Sequence, residues 1–259
     1  MPSIRALLLL ALLFAVQAQA QLTTRTGAAA TAATLTPAID QFRADLGGGT
    51  VAGANGSFGG LRREINWDGV SAAFAAPSNL PANFFNVNSP RGVVLSTAGT
   101  GFQVSASTAD ASGQPIYFGN INPNYTITFS AFSPQRLFTP LGSNVLDVFF
   151  YVPGTLIPAG VSGFGAIFSD VDQASTTRLL FFDRDGASLG TVYAPVFSAG
   201  LSFAGAFTTD GRATIARVRV FLGNTAAGPN DNNVSSDIVV ADDFIYAEPA
   251  DRIFGDGFD

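Results

Sequence analysis

The chain contains no cysteine, no histidine and no lysine. Without cysteine there is no disulfide, no thiol nucleophile and no thiolate metal ligand. Losing histidine removes the Ser-His-Asp triad and imidazole-held zinc, and losing lysine removes the Schiff base and the phosphate-loop ammonium. Glutamate is nearly absent too, at Glu64 and Glu248 alone, and there is one tryptophan, Trp67. Only 12% of residues are charged, and every basic one is arginine. The chemistry that remains is carboxylate, guanidinium, hydroxyl and phenol.

What is present is apolar bulk. Of 259 residues, 47% are hydrophobic and 24 are phenylalanine, which excludes intrinsic disorder and predicts a core-rich globular body. The formal net charge of −6 argues against nucleic-acid partners and anionic membranes. Residues 1–20 read as a secretory signal: Arg5 as the positive start, Ala6 to Val16 as the apolar run, and Ala18-Gln19-Ala20 as the cleavage tripeptide. That run is too short to cross a bilayer, where roughly twenty apolar residues are needed, and no later stretch is long enough. The mature chain is expected to start at Gln21, with a net charge of −7 and no transmembrane segment. Export without disulfides suits a bacterial protein, secreted or held at the cell surface. The tripeptides beginning at Asn55, Asn124 and Asn233 match the glycosylation acceptor, which has no meaning in such a host.

Residues 21–60 read as a flexible Ala/Thr/Gly-rich segment holding a short helix over 36–46. Thr36 is its expected cap, Pro37 sits in its first turn, and Ile39, Phe42 and Leu46 mark its apolar stripe. Gly47-Gly48-Gly49 ends it. From Leu61 to Glu248 the period falls towards two, in about a dozen short β-like runs. These include Gly101–Ala106, Tyr125–Phe129, Asn144–Val152, Gly163–Phe168, Arg178–Phe182, Ile215–Leu222 and Asp237–Tyr246. Asp183-Arg184-Asp185-Gly186 reads as a hairpin turn. The expectation is an all-β fold: one antiparallel β-sandwich, jelly-roll-like, over residues 61–248, with one short N-terminal helix. Two smaller β domains divided near Pro153–Gly160 are the alternative.

Three blocks carry a family likeness: Arg62 to Val70 (RREINWDGV), Pro81 to Phe85 (PANFF) and Ser89 to Val94 (SPRGVV). Phe132 to Phe138 (FSPQRLF) and Ala241 to Tyr246 (ADDFIY) extend it. Over residues 36–248 the chain resembles a family of uncharacterised exported bacterial proteins. That family is itself similar to the β-sandwich modules that precede C-terminal surface-anchoring signals. The resemblance implies a carbohydrate-binding-module-like jelly roll and an extracellular location, with no activity attached. The acidic-aromatic tail, residues 249–259, departs from it by lacking the hydrophobic helix and basic cluster of membrane-sorting ends. It resembles instead an ending seen on exported gammaproteobacterial proteins.

Strict alternation along Asp237–Tyr246 places Asp242 on one face and Asp243 on the other, so one acid enters an apolar layer and needs a cation. Arg217 or Arg219, which alternate together on a neighbouring strand, are one source, and calcium is the other. Calcium takes six to eight oxygens, which Asp and Asn supply without His or Cys. Asp170 and Asp172, two residues apart and on one side if extended, are expected to join Asp242 or Asp243 in such a structural site. Asn66 and Asp68 have a claim by analogy with β-sandwich carbohydrate-binding modules. Turn-capping aspartates with one Arg–Asp pair are the plainer alternative.

For ligands, sugar binding calls for flat exposed rings. Trp67, between Asn66 and Asp68, is the best candidate, against the alternative of a core tryptophan with its N–H satisfied. Paired-carboxylate catalysis is the one enzyme mechanism the composition permits, with Glu64, Asp68, Asp147 and Glu248 as conceivable members. Arg62-Arg63 reads as a charged strand edge. The function expected is therefore non-catalytic: adhesion, matrix contact or binding of an extracellular glycan. A structural matrix component without a discrete ligand, or a glycan-cleaving enzyme, stand as alternatives.

Overall fold

A computed structural model of the chain describes residues 21–48, 53–229 and 235–251. The signal segment, Gly49 of the helix-ending triplet, most of the Asn233 tripeptide and tail residues 252–259 lie outside the described residues. Twelve strands and three helices follow in order. They are β1 (Leu22–Ala29), α1 (Ala32–Asp45), β2 (Arg62–Ile65), α2 (Phe84–Val87), β3 (Val93–Ser96), β4 (Gly101–Val104) and α3 (Tyr125–Thr128). Then come β5 (Phe138–Leu141), β6 (Val145–Phe150), β7 (Gly163–Val171), β8 (Arg178–Phe182), β9 (Ser188–Tyr193), β10 (Phe197–Thr208), β11 (Arg217–Phe221) and β12 (Val240–Ala247).

The fold is an antiparallel β-sandwich. One sheet has the order β1-β10-β7-β12-β5-β4, with β2 also paired to β12; the other runs β3-β6-β11-β8-β9. Phe164 and Tyr246 of the first sheet meet Phe150 of the second, with ring centroids 6.0 and 5.8 Å apart, and Phe244 packs on Phe164 at 5.2 Å. β7 and β12 are buried along their whole length, so both of their faces are covered. The second sheet covers one face, and α1 covers part of the other. That helix approaches closely because Gly163, Gly165 and Gly205 leave a trough. A Cβ at Gly165 or Gly205 would come within 3.0 Å of the Phe42 ring, and one at Gly163 within 2.4 Å of Leu46. Phe42 fills the trough and packs edge-on against Phe203, 5.1 Å between centroids.

The N-terminal region differs from its expected flexible lead-in. Residues 22–29 form β1, paired in full register with β10 from Leu22↔Thr208 to Ala29↔Leu201. Threonine and alanine carry too little apolar alternation to announce a strand; the partner supplies the order. The helix also starts earlier, because Thr31 rather than Thr36 caps it by accepting the Thr34 N–H. Thr36 instead donates to the Ala32 carbonyl, 2.8 Å away, and Pro37 lies in the second turn. The helix end is as expected, with Gly47 and Gly48 at positive φ and Gly48 N–H bonded to Arg43 O.

The expected strand Tyr125–Phe129 is a helical turn, α3. Alternation would have put Tyr125, Ile127 and Phe129 on one face, yet Ile127 is 86% exposed while the other two are buried. The i, i+4 spacing brings the Tyr125 and Phe129 rings to 5.0 Å, in a satellite core with Phe118, Leu137, Ile238 and Val240. The Asp183–Gly186 turn joins β8 to β9 as a hairpin, with Gly186 at φ 81°.

Candidate functional site

Two regions hold the chemistry. The first lies on β12, where its neighbour on one side changes from β2, which pairs through Phe244↔Ile65, to β5, which pairs at Ala241↔Phe138. On the other side the register with β7 slips between Ala241↔Phe168 and Phe244↔Ala166. Asp242 and Asp243 together oppose Ile167, which makes this a β-bulge. The bulge undoes the strict alternation that would have sent the two aspartates to opposite faces, and both carboxyls reach the same loop. Ser133 Oγ lies 2.8 Å from Asp243 Oδ1, 3.0 Å from Asp68 Oδ2 and 3.3 Å from Asp242 Oδ1. Asp242 Oδ2 also accepts the N–H groups of Phe132 and Ser133, and Asp68 Oδ1 accepts that of Arg136.

Trp67 seals this cluster from within. Its indole is 1% exposed, lies flat on Phe138 at 4.1 Å and 6°, and donates its N–H to the Asp242 carbonyl at 2.7 Å. The single tryptophan is thus a core anchor, not the ligand platform expected of it; a positive φ of 61° turns its side chain inward. Asn66 is exposed and Asp68 half-buried on either side of it.

Electrostatically the cluster is unusual because hydrogen bonds and a proton, rather than a cation, meet its charge. Burial pushes Asp242 well above the ordinary carboxylate range, and the adjoining Asp243 carboxylate adds to that; the two carboxyls hydrogen-bond each other. Asp243 is pushed up to about 6, chiefly by burial, with Glu64 and Asp68 adding repulsion. Asp68 is raised by burial against the pull of the Arg136 N–H and Ser133. Both shifts run the same way, so the pair as a unit keeps a proton to higher pH than a free carboxylate does. Arg217 and Arg219, the expected cations, are elsewhere. The expected calcium set is not assembled either. Asp170, at φ 68°, turns out of the extended geometry that would align it with Asp172, and it accepts the Ala199 N–H. The Asp172 N–H donates to Asp237. Neither joins Asp242 and Asp243 around Ser133. A serine hydroxyl occupies the centre of that cluster. Among the described residues no group of three or more Asp or Glu is arranged to hold a metal ion.

The second region is the outward face of the β3-β6-β11-β8-β9 sheet. Period-two alternation in β6, β11 and β8 turns Leu146, Val148, Val218, Val220, Leu179 and Phe181 inward, and leaves the alternate residues half-exposed. Register then writes three rows across the strands: Phe149-Arg217-Phe182, Asp147-Arg219-Leu180 and Val145-Phe221-Arg178. Arg217 stacks over Phe182 at 4.0 Å and Arg178 over Phe221 at 3.8 Å. Asp147 is held bidentately by Arg219, at 2.8 and 2.9 Å.

No family model, curated protein or solved structure matches the chain. The site must speak for itself.

At the Phe149 end of the first row, a cleft of about 560 Å³ opens between the segment following β6 and the β8–β9 turn. Its lining includes Phe149, Tyr151, Ile157, Pro158, Asp183, Arg184, Asp185 and Arg217. Sequence reasoning assigned none of these to a ligand. The signal was present in the alternation of β6, which places Phe149 outward, but the turn that faces it is remote in sequence. The other acids considered for catalysis are bound up. Glu64 pairs with Arg43 at 2.7 Å and with Arg62, and Glu248 pairs with Arg63, which also stacks on Phe58.

Proposed function

We propose that this is an exported, non-catalytic β-sandwich protein that works at the bacterial surface or beyond it, in adhesion or matrix contact, by binding extracellular glycan. The observation that carries this reading is the outward row of rings and guanidiniums ending in an open cleft of ligand size. Aromatic faces suit the apolar faces of sugars, and the charged side chains beside them suit the hydroxyls. Glu64, Asp147 and Glu248 are each engaged by arginine, which supports holding over turnover. No described helix is long and apolar enough to cross a membrane.

A carboxylate-based glycan-cleaving enzyme is the second reading, favoured by one observation: the paired acids Asp242 and Asp243, both raised by burial and Asp242 the more strongly. Against it, Asp242 is fully buried beneath Ser133 and Trp67, and neither acid lines the cleft. A glycan array together with a reducing-end assay on the arrayed polysaccharides separates the two. The expected result is binding with no release of reducing ends. Release that disappears in Asp243→Asn would overturn the binding reading in favour of the enzyme, and a blank array would remove glycan as the ligand. Edman sequencing of secreted protein is expected to begin at Gln21; Met1 on extracellular material would contradict export by cleavage.

A further inference from the structure

Resting on the reading that the protein binds glycan, we infer that the cleft beside Phe149 is the site, and that it takes a short, uncharged oligosaccharide. Its two walls differ in chemistry. One is apolar, formed by Phe149, Tyr151, Ile157 and Pro158. The other is polar: the β8–β9 turn brings Asp183, Arg184 and Asp185 to the rim, and Asp251 joins them. A pyranose has the same division: a face of C–H bonds that packs on rings, and a perimeter of hydroxyls that both donate and accept. Carboxylates take the donated protons and guanidiniums supply the accepted ones.

Both walls are built in advance of any ligand. Asp183 Oδ1 accepts the N–H groups of Asp185 and Ala187, and Gly186 N–H bonds the Asp183 carbonyl. Opposite, Val152 N–H bonds Ile157 O, and Tyr151 bridges Pro158, so the loop carrying Ile157 is closed on itself. Arg217 is fixed on the floor, stacked on Phe182 and bonded to Asp147. A site that is already ordered loses little entropy on binding. The rim carries both signs of charge and the whole chain is acidic, which disfavours polyuronates and other polyanions. The volume lies within the range of small-ligand clefts.

The test uses the mature chain, ¹⁵N-labelled, titrated with cellotetraose, xylotetraose, mannotetraose and chitotetraose, alongside the glycan array. At least one tetrasaccharide is expected to shift the amides of Tyr151, Gly186 and Ala216. Tyr151→Ala is expected to weaken that binding at least tenfold. Arg184→Ala alters a side chain 71% exposed, so it leaves the fold alone, and it is expected to weaken binding severalfold with an unchanged melting curve. Array binding that both variants retain, with shifts mapping elsewhere, overturns the cleft and leaves the proposed function standing. Binding only to polyuronates overturns the uncharged class. No binding to any tetrasaccharide or arrayed glycan overturns both.

Discussion

Asp147 and Asp242 are both aspartates set in apolar strands, and the sandwich treats them in opposite ways. Asp147 points out of its sheet, meets two guanidiniums across neighbouring strands and stays hydrated on one side. Asp242 points into a buried seam where, among the described residues, no salt bridge reaches it; backbone N–H groups, a serine hydroxyl and a shared proton satisfy it instead. Residue type therefore did not decide the electrostatics; strand geometry did. Regular alternation delivers an acid to arginine, and a bulge delivers two acids to each other.

The sharpest way to break this contrast is to open the sealed side. Trp67→Ala removes the stack on Phe138 and leaves the Asp242 carbonyl without its donor, at an expected cost of roughly 3–5 kcal/mol in urea unfolding. A cost below about 1 kcal/mol would mean that the seam is not closed by the indole. Next in size is pH. Asp243, raised to about 6, and Asp242, raised further, bind protons in the folded chain that the unfolded chain has already released above about pH 4. Stability from this pair is thus fully present below that point and is lost as pH rises through 6. Two units on Asp243 correspond to about 3 kcal/mol as an upper figure. Asp68 and Asp237, also raised by burial, act in the same direction, and Asp110, which the Ser107 N–H and then Arg136 lower against its burial, opposes them. Urea midpoints at pH 4.5 and 7.5 are expected to show the acid side more stable, and Asp243→Asn to flatten the difference. A rise in stability towards pH 7.5 would refute the shared proton.

Asp147, partly buried and paired at the sheet surface, gives the smallest effect. Asp147→Asn is expected to cost about 0.2–1 kcal/mol, and less in 1 M salt, because half-exposed pairs are hydrated and screened. A salt-insensitive loss of several kcal/mol would make Asp147 the equal of the buried pair and erase the distinction.

The outward face was the legible half of the molecule. Period two in Arg178–Phe182, Ile215–Leu222 and Asn144–Val152 was enough to assign strands, and in Ile215–Leu222 to group Arg217 with Arg219 on one face. The sealed half was not, because its decisive event is one inserted residue. A bulge at Asp242-Asp243 leaves no mark in composition, and alternation carried across it assigns one acid to the wrong side. At Trp67 the structure takes the core alternative over the ligand platform. Its polar neighbours Asn66 and Asp68 point to a ligand, whereas its burial depends on a positive φ and on Phe138, about seventy residues away. β1 was missed for a third reason. Its order comes from pairing with β10, a segment late in the chain, and a run such as LTTRTGAA has no inward stripe of its own. Ser133 was legible only as a member of the FSPQRLF block; nothing in its residue type marks it as the centre of the cluster.

The trough under α1 is a place where fit depends on vacancy. Three hydrogens, at Gly163, Gly165 and Gly205, stand where any other amino acid would put carbon, and the Phe42 ring and Leu46 occupy what they leave. Alanine ordinarily steadies an extended strand relative to glycine, yet here a lone methyl would wedge α1 away from the sheet beneath it. The seat of α1 on the body of the protein can thus be disturbed by the mildest of replacements.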